Sequence, residues 1–217
     1  MSPMGLRSFH VRFPRSFARA KAYIPPMSTH SFALFETALG ACGVAWGDGG
    51  ITGLQLHEPG EDRTRARLRQ RYPEAAEAAP TPAMQAVIDG VVDLLAGGKP
   101  GFEDAPLDYS VVSDFQRRVY EIALRIPAGR TVTYGDIARE LGDVAYSREV
   151  GQALGKNPYA PVVPCHRVLA AGGKAGGFSA RGGLDSKAKL LTIEKAQTSE
   201  VPSLFDDLPT VIAPRRA

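Results

Sequence analysis

Strand-like sequence comes first in this chain and helical sequence after it, and that order limits the architecture to a small sheet covered by helices. The runs FALFETALG, ACGVAWGD and GITGLQLHE begin at about Ser31 and are separated by Gly and Asp turn signals, which predicts a small antiparallel sheet. Two helix-like stretches follow. Glu61 to Arg71 has acids at its start and a basic body, and in Pro82 to Ala96 the residues Met84, Val87, Ile88, Val91, Val92 and Leu95 recur at helical spacing. Gly97, Gly98, Pro100 and Gly101 end the second, and a short strand is expected near Leu107 to Val111. Ser113 then stands where an N-cap belongs, ahead of a face made by Phe115, Val119, Ile122, Ala123 and Ile126 that stops at Pro127 and Gly129.

Two short helices come next, TVTYGDIARELG and SREVGQALGKNP, with Ser147 as the expected cap of the second and Asn157-Pro158 as its stop. Paired short helices suggest a helix-turn-helix, a weak signal alone because helix pairs occur in many folds. Gly151, Ala153 and Gly155 lower the second helix's propensity and let its backbone come close to another surface, either a neighbouring helix or a nucleic-acid groove. A glycine-rich stretch and a last helix from about Asp185 to Ala196 follow. The four expected segments are a basic extension (1–26), an N-terminal α/β domain (27–112), a domain holding the chemistry (113–196) and a polar, disordered tail (197–217). The first segment, with five basic and no acidic residues, has three readings: a basic arm, a targeting segment, or sequence upstream of a natural start at Met27.

Charge is unevenly placed. Residues 31 to 112 hold six basic and twelve acidic side chains, and residues 113 to 196 hold thirteen basic and eight acidic, so a polyanion would meet the later segment. No apolar run approaches the roughly 18 to 20 residues that span a bilayer, which predicts a soluble chain with no membrane partner. The two cysteines do not make a disulfide framework, and a reducing cytoplasm is the expected setting. His10, His30, His57 and His166 are too scattered for a zinc set, so neither metal nor cofactor is expected.

One of those cysteines stands in PVVPCHRVL, directly before His166. A free cysteine is often a small buried apolar residue, the reading we take for Cys42 in the sheet. Beside an imidazole, Cys165 has a second reading, as a nucleophile whose thiol is lowered from about 8.5 toward 7.

Taken together, Tyr134 in TVTYGDIA, Arg148 in SREVGQALGKNP, Asn157, PCHRV at Pro164 to Val168, Ser179 in the glycine-rich loop and Glu194 in KAKLLTIEKA resemble the O6-alkylguanine-DNA alkyltransferases, the methylated-DNA–protein-cysteine methyltransferases. The resemblance spans about residues 113 to 196. It implies an α+β protein: a small ribonuclease-H-like domain followed by a mostly helical domain with a winged helix-turn-helix. The implied reaction is irreversible transfer of an alkyl group from O6 of guanine, or O4 of thymine, to Cys165, once per molecule. It makes Cys165 the nucleophile, on a proline-fixed strand, His166 its base acting through water, Glu194 the group orienting His166, and Asn157 the holder of the turn. The implied partner is double-stranded DNA, entered by its minor groove with the target base flipped out. Arg148 would fill the gap, Gly151 and Ala153 would permit the close approach, and Tyr134 and Ser179 would contact the base, Tyr134 also supplying a proton. Family members act as monomers.

Two departures concern the pocket: GGFSARGGL has Phe178 where a tyrosine is often found, with Ala180-Arg181 lengthening the loop, and Ala160 stands where a proline often sits. Alkyltransferase-like lesion binders lack the motif cysteine that Cys165 supplies, and a Cys-His hydrolase would need an oxyanion hole that the sequence does not signal. In the tail, Leu204-Phe205 in VPSLFDDLP resembles peptides that dock on bacterial sliding clamps, although a chance apolar pair is the commoner explanation.

Overall fold

The structure, a computed structural model, describes residues 30–173 and 183–196. The expectations for residues 1–26, for Ser179 with Phe178, Ala180 and Arg181, and for Leu204-Phe205 lie outside the described residues.

The three strand-like runs form β1 (Ser31–Phe35), β2 (Cys42–Gly47) and β3 (Gly50–Gln55), paired antiparallel with Ser31 opposite Trp46 and Gly43 opposite Gln55. A two-residue β4 (Ala76–Glu77) adds parallel to β1, so the order is β3-β2-β1-β4 and the sheet is mixed rather than purely antiparallel. Two exposed residues carry no period from which this edge strand could be foreseen. Alternation along β2 sends Cys42, Val44 and Trp46 into the main core and Ala45 to the other face, where it meets Phe32 and Leu68. Leu68 belongs to α1 (Glu61–Arg71), which seats so closely that a Cβ on Gly43 would lie 2.3 Å from Leu68 Cδ1.

The opposite face receives α2 (Pro82–Leu95), capped by the Thr81 hydroxyl accepting from Met84 N, with Pro82 in the first turn. It buries Met84, Val87, Ile88, Val91, Leu94 and Leu95, each worth about 1.5–3 kcal/mol when fully removed from water; Val92 is only partly buried. The strand expected near Leu107 to Val111 shrinks to one bridge between Leu107 and Ile51. Asp108 then accepts from Ser110 N and turns Tyr109–Val111 into a 3-10 helix, a local bond that outcompetes the ladder.

The helix α3 (Asp114–Leu124) opens with a capping box between Ser113 and Gln116 and buries Val119, Tyr120 and Ala123. A second capping box, Thr133 with Asp136, starts α4 (Tyr134–Glu140). Between them β5 (Val132–Thr133) pairs in parallel with β6 (Val168–Leu169), which ties the start of α4 to the segment following Cys165. The helix α5 (Ser147–Gly155) has Tyr146, not Ser147, at its N-cap and no side-chain cap. The 3-10 turn Val144–Tyr146 already delivers the chain in near-helical geometry, so Ser147 is a helical residue. Finally α6 (Gly183–Ile193) packs on the turn holding Cys165. One continuous core joins the sheet to α5, and Leu54 N donates to Pro158 O at 2.8 Å across the join.

Candidate active site

Cys165 sits in a 3-10 turn, Cys165–Arg167, and extended backbone begins only at Val168. The proline-fixed strand expected there is therefore a turn between Pro164 and β6. Asn157 closes the approach to it: its Oδ1 accepts from Tyr159 N at 2.9 Å and its Nδ2 donates to Val163 O at 2.8 Å. An Asn-Pro helix stop is thus also the clasp of the active-site loop.

The thiol is 3% exposed. Burial pushes it above its ordinary value, and the opposing pulls of the Asn157 amide, Lys187 and the Cys165 and His166 amides do not overcome that. The expectation of a thiol lowered toward neutrality is corrected: away from water the sulfur keeps its proton at rest.

His166 is fully buried, with Nε2 2.8 Å from Glu194 Oε1. Burial holds the ring below the usual imidazole range, although Glu194 pulls it upward. Burial alone would raise Glu194, but hydrogen bonds from His166 and Arg167 outweigh it and hold the carboxyl at about 2. An ionised carboxylate only accepts, so Nε2 carries the ring proton and Nδ1 keeps a lone pair. Nδ1 is buried without a hydrogen-bond partner among the described residues. The site therefore holds a protonated thiol and, next to it in sequence, a neutral imidazole fixed on a carboxylate, with no hydrogen bond between the Cys165 sulfur and Nδ1 among the described residues.

Arg167, not singled out from sequence, is what fixes Glu194. Its Nη2 donates to Oε1 at 2.8 Å, its Nε lies 3.0 Å from Oε2, and its Nη1 donates to the Ile126 carbonyl. Gly129 N donates to Oε2 at 3.3 Å from a left-handed backbone (φ 83°), where glycine is favoured. Arg167 stands among apolar residues with no period to expose it. Lys187 was also missed, yet it left a signal: with Leu190 and Leu191 it follows helical spacing on the buried face of α6, and a lysine on such a face is unusual. Its Nζ donates to Val168 O at 2.6 Å and lies 5.9 Å from the Tyr134 ring centroid. Burial lowers it to about 8, partly opposed by attraction to Cys165.

Tyr134, the first residue of α4, is half-buried, and a Cβ on Gly151 would meet its ring at 4.0 Å. Arg148 is exposed in the first turn of α5, next to the exposed apolar Val144 and Tyr146. Ala153 departs from expectation. It is buried in the core, and its carbonyl accepts from the Tyr120 hydroxyl at 2.8 Å, so its small size serves packing against α3 rather than an outer surface. Cys165, His166, Asn157 and Glu194 thus share one buried cluster with Lys187 and Arg167. Tyr134 borders it through Lys187, and Arg148 stands at the surface.

No helix among the described residues is long and apolar enough to cross a membrane, and no group of three or more metal-ligating side chains occurs among them.

Comparison with known proteins points to one family. Residues 114–196 match the family model described as 6-O-methylguanine DNA methyltransferase, DNA binding domain. The methylated-DNA–protein-cysteine methyltransferase of Mycobacterium tuberculosis is 40% identical over 162 residues, 73% of this chain and 96% of the relative. A DNA base-flipping protein of Thermus thermophilus is 43% identical over 125 residues, 58% of this chain and 82% of that protein. Among solved structures, Mycobacterium tuberculosis OGT in complex with DNA aligns with a TM-score of 0.58 at 32% identity, covering 77% of this chain and 96% of that one. A buried Cys-His-Glu cluster in a mixed α/β fold, with relatives covered almost end to end, leads to one assignment: the chain belongs to the methylated-DNA–protein-cysteine methyltransferase family.

Proposed function

We propose that this protein repairs DNA by direct reversal, moving the alkyl group of O6-alkylguanine, or of O4-alkylthymine, onto Cys165. The observation that carries the reading is the geometry of the buried cluster, in which Cys165 precedes a His166 ring whose Nε2 lies 2.8 Å from Glu194 Oε1. A thiol pushed up by burial stands next in sequence to a neutral imidazole whose far side is fixed on an ionised carboxylate.

In the proposed step the Cys165 proton passes to His166 Nδ1, directly or through one water, while sulfur attacks the alkyl carbon. The C–S bond forms, the C–O bond breaks, and the electron pair stays with the guanine, to which Tyr134 supplies a proton. Glu194 steadies the imidazolium, and Asn157 holds the turn. The product is a thioether, whose C–S bond is stable in water, so each molecule acts once.

Reaching O6 requires the base to leave the stack. We assign α4 and α5 to a winged helix-turn-helix whose second helix enters the minor groove, with Arg148 filling the gap, Gly151 allowing the approach and Ser179 bonding near O6. Residues 27–112 are assigned to a ribonuclease-H-like domain, 113–196 to the catalytic domain, and 1–26 and 197–217 to flanking segments. The protein is taken to act as a cytoplasmic monomer. Docking of Leu204-Phe205 on a sliding clamp is the weakest element, and a tail peptide that failed to bind purified clamp would remove it.

The test is intact mass after incubation with a duplex carrying O6-methylguanine. The wild type should gain one methylene and Cys165→Ser none. Tight binding without a mass change would make the protein a lesion binder.

A further inference from the structure

Residues 31 to 112 are acidic overall, yet five of their six basic residues, Arg63, Arg65, Arg67, Arg69 and Arg71, lie on α1. They divide by face. Arg65 reaches Glu61 at 2.7 Å and Glu77 at 3.1 Å, and Arg69 lies 3.7 Å from Glu77. Arg63, Arg67 and Arg71, at i, i+4 and i+8, share the other face, and none has a carboxylate partner among the described residues. Arg67 donates to Gln70 at 2.9 Å and Arg71 to the Leu54 carbonyl at 2.9 Å, both neutral acceptors.

That face borders a cavity of about 210 Å³ between α1, β3 and the end of α5. Arg67 and Arg71 from α1, Lys156 and Asn157 from the end of α5, and Gln55 from β3 are among its lining residues, and no carboxylate is. Arg67 and Lys156 are exposed. Three cations from two separate elements therefore converge on one groove with no anion to answer them. Such a groove suits a phosphate oxygen, which accepts from several N–H donors at once.

We propose that this groove is a second phosphodiester-binding site, which grips DNA backbone away from the lesion. The proposal rests on DNA being the substrate. Lys156 follows Arg148 by eight residues, about 12 Å along α5 at 1.5 Å per residue. A helix seated at the damaged base thus presents its far end to backbone some three to four steps away, at about 3.4 Å per nucleotide. The chemistry is the same whether the phosphate belongs to the flanking part of the damaged duplex or to a second duplex segment.

The test measures binding of O6-methylguanine duplexes to Cys165→Ser protein, so that no transfer intervenes, as a function of salt. Each lost phosphate contact lowers the slope of log affinity against log salt by about 0.9. Arg67→Ala with Lys156→Ala should lower it by about two, whereas Arg69→Ala with Arg117→Ala, which removes the same charge away from the groove, should not. An unchanged slope in the first pair, or an equal fall in both, overturns the proposal. If flanking DNA is held, the effect vanishes on a duplex trimmed close to the lesion. If a second segment is held, the effect appears as loss of a weaker binding event at excess DNA. Wild-type mass gain reports the transfer reading separately, and circular dichroism checks the fold of each variant.

Discussion

The proposed mechanism gives Glu194 two jobs, orienting His166 and anchoring Arg167, which a single substitution confounds and a double substitution separates. Its carboxylate accepts from His166 at 2.8 Å and from Arg167 at 2.8 and 3.0 Å, all within a buried cluster. Glu194→Gln leaves the Arg167 guanidinium buried without its counter-charge, a loss of about 3–5 kcal/mol for a broken buried pair. For a protein of this size that is a fall in melting temperature of about 6–20 °C. Arg167→Met removes the stranded cation, and similar-sized apolar replacement of a whole buried pair is often neutral or stabilising. Combining the two should therefore recover most of the lost stability. It should not recover transfer, because a neutral amide cannot stabilise the imidazolium formed when His166 takes the thiol proton; the expected loss is about 10²–10⁴-fold. The assay is single-turnover transfer from an O6-methylguanine duplex, read by intact mass beside a melting curve for each variant. A double variant that is stable and transfers at the wild-type rate would refute the catalytic role and leave Glu194 as an anchor for Arg167.

Acid should weaken the fold in two overlapping stages. His166 sits below its usual 6.5, so the stability it lends is present above that pH and falls as the unfolded imidazole gains a proton; Glu194, at about 2 against 4.5, adds stability that is lost between those values. Urea midpoints should therefore drop steadily from pH 7 to pH 3, and a flat profile would contradict the assignment of charges. Asn157→Ala leaves Tyr159 N without its side-chain partner, at about 1–3 kcal/mol, and takes one of two donors from Val163 O, which keeps Cys165 N. It also removes an amide that favours the thiolate, so thiol labelling should need higher pH as well as the protein melting earlier; an unchanged labelling profile would place Asn157 in the loop clasp alone.

Sequence made the helices more legible than the connections. The periods of α2 and α3 come from apolar residues recurring at helical spacing, which a chain displays wherever one face is buried, and β1 to β3 are set apart by Gly and Asp turn signals. The parallel β4, the 3-10 turn at Cys165 and the uncapped start of α5 rest on hydrogen bonds between distant or irregular backbone, and no local pattern encodes those. In the site, Cys165 beside His166 stands out by its chemistry, whereas Tyr134, Arg148, Asn157 and Glu194 are legible only through the family resemblance. Arg167 was passed over because it belongs to a run read for Cys165 and His166, although it makes more contacts to Glu194 than His166 does. Ala153 was misassigned for a related reason: a small residue signals close approach without saying to what, and here the near surface is Tyr120 of α3.

The direction of the Cys165 shift bears on selectivity. A thiol already ionised at rest would react with any soluble electrophile, and its product is irreversible, so exposure would waste a molecule that acts once. Burial suppresses that background by keeping sulfur protonated. The cost would be a slow reaction if transferring the proton changed the net charge of the cavity, but it does not. Before transfer the cluster holds neutral sulfur and neutral imidazole beside Glu194, Arg167 and Lys187; afterwards it holds thiolate and imidazolium, and the sum is unchanged. Each new charge also meets a group of opposite sign already in place, Lys187 for the sulfur and Glu194 for the ring. Fixed partners of that kind stabilise developing charge without reorganisation. In the proposed mechanism the nucleophile is inert alone and is activated by moving one proton within a preset field, so that it reacts when a base turned out of the helix brings an alkyl carbon within reach.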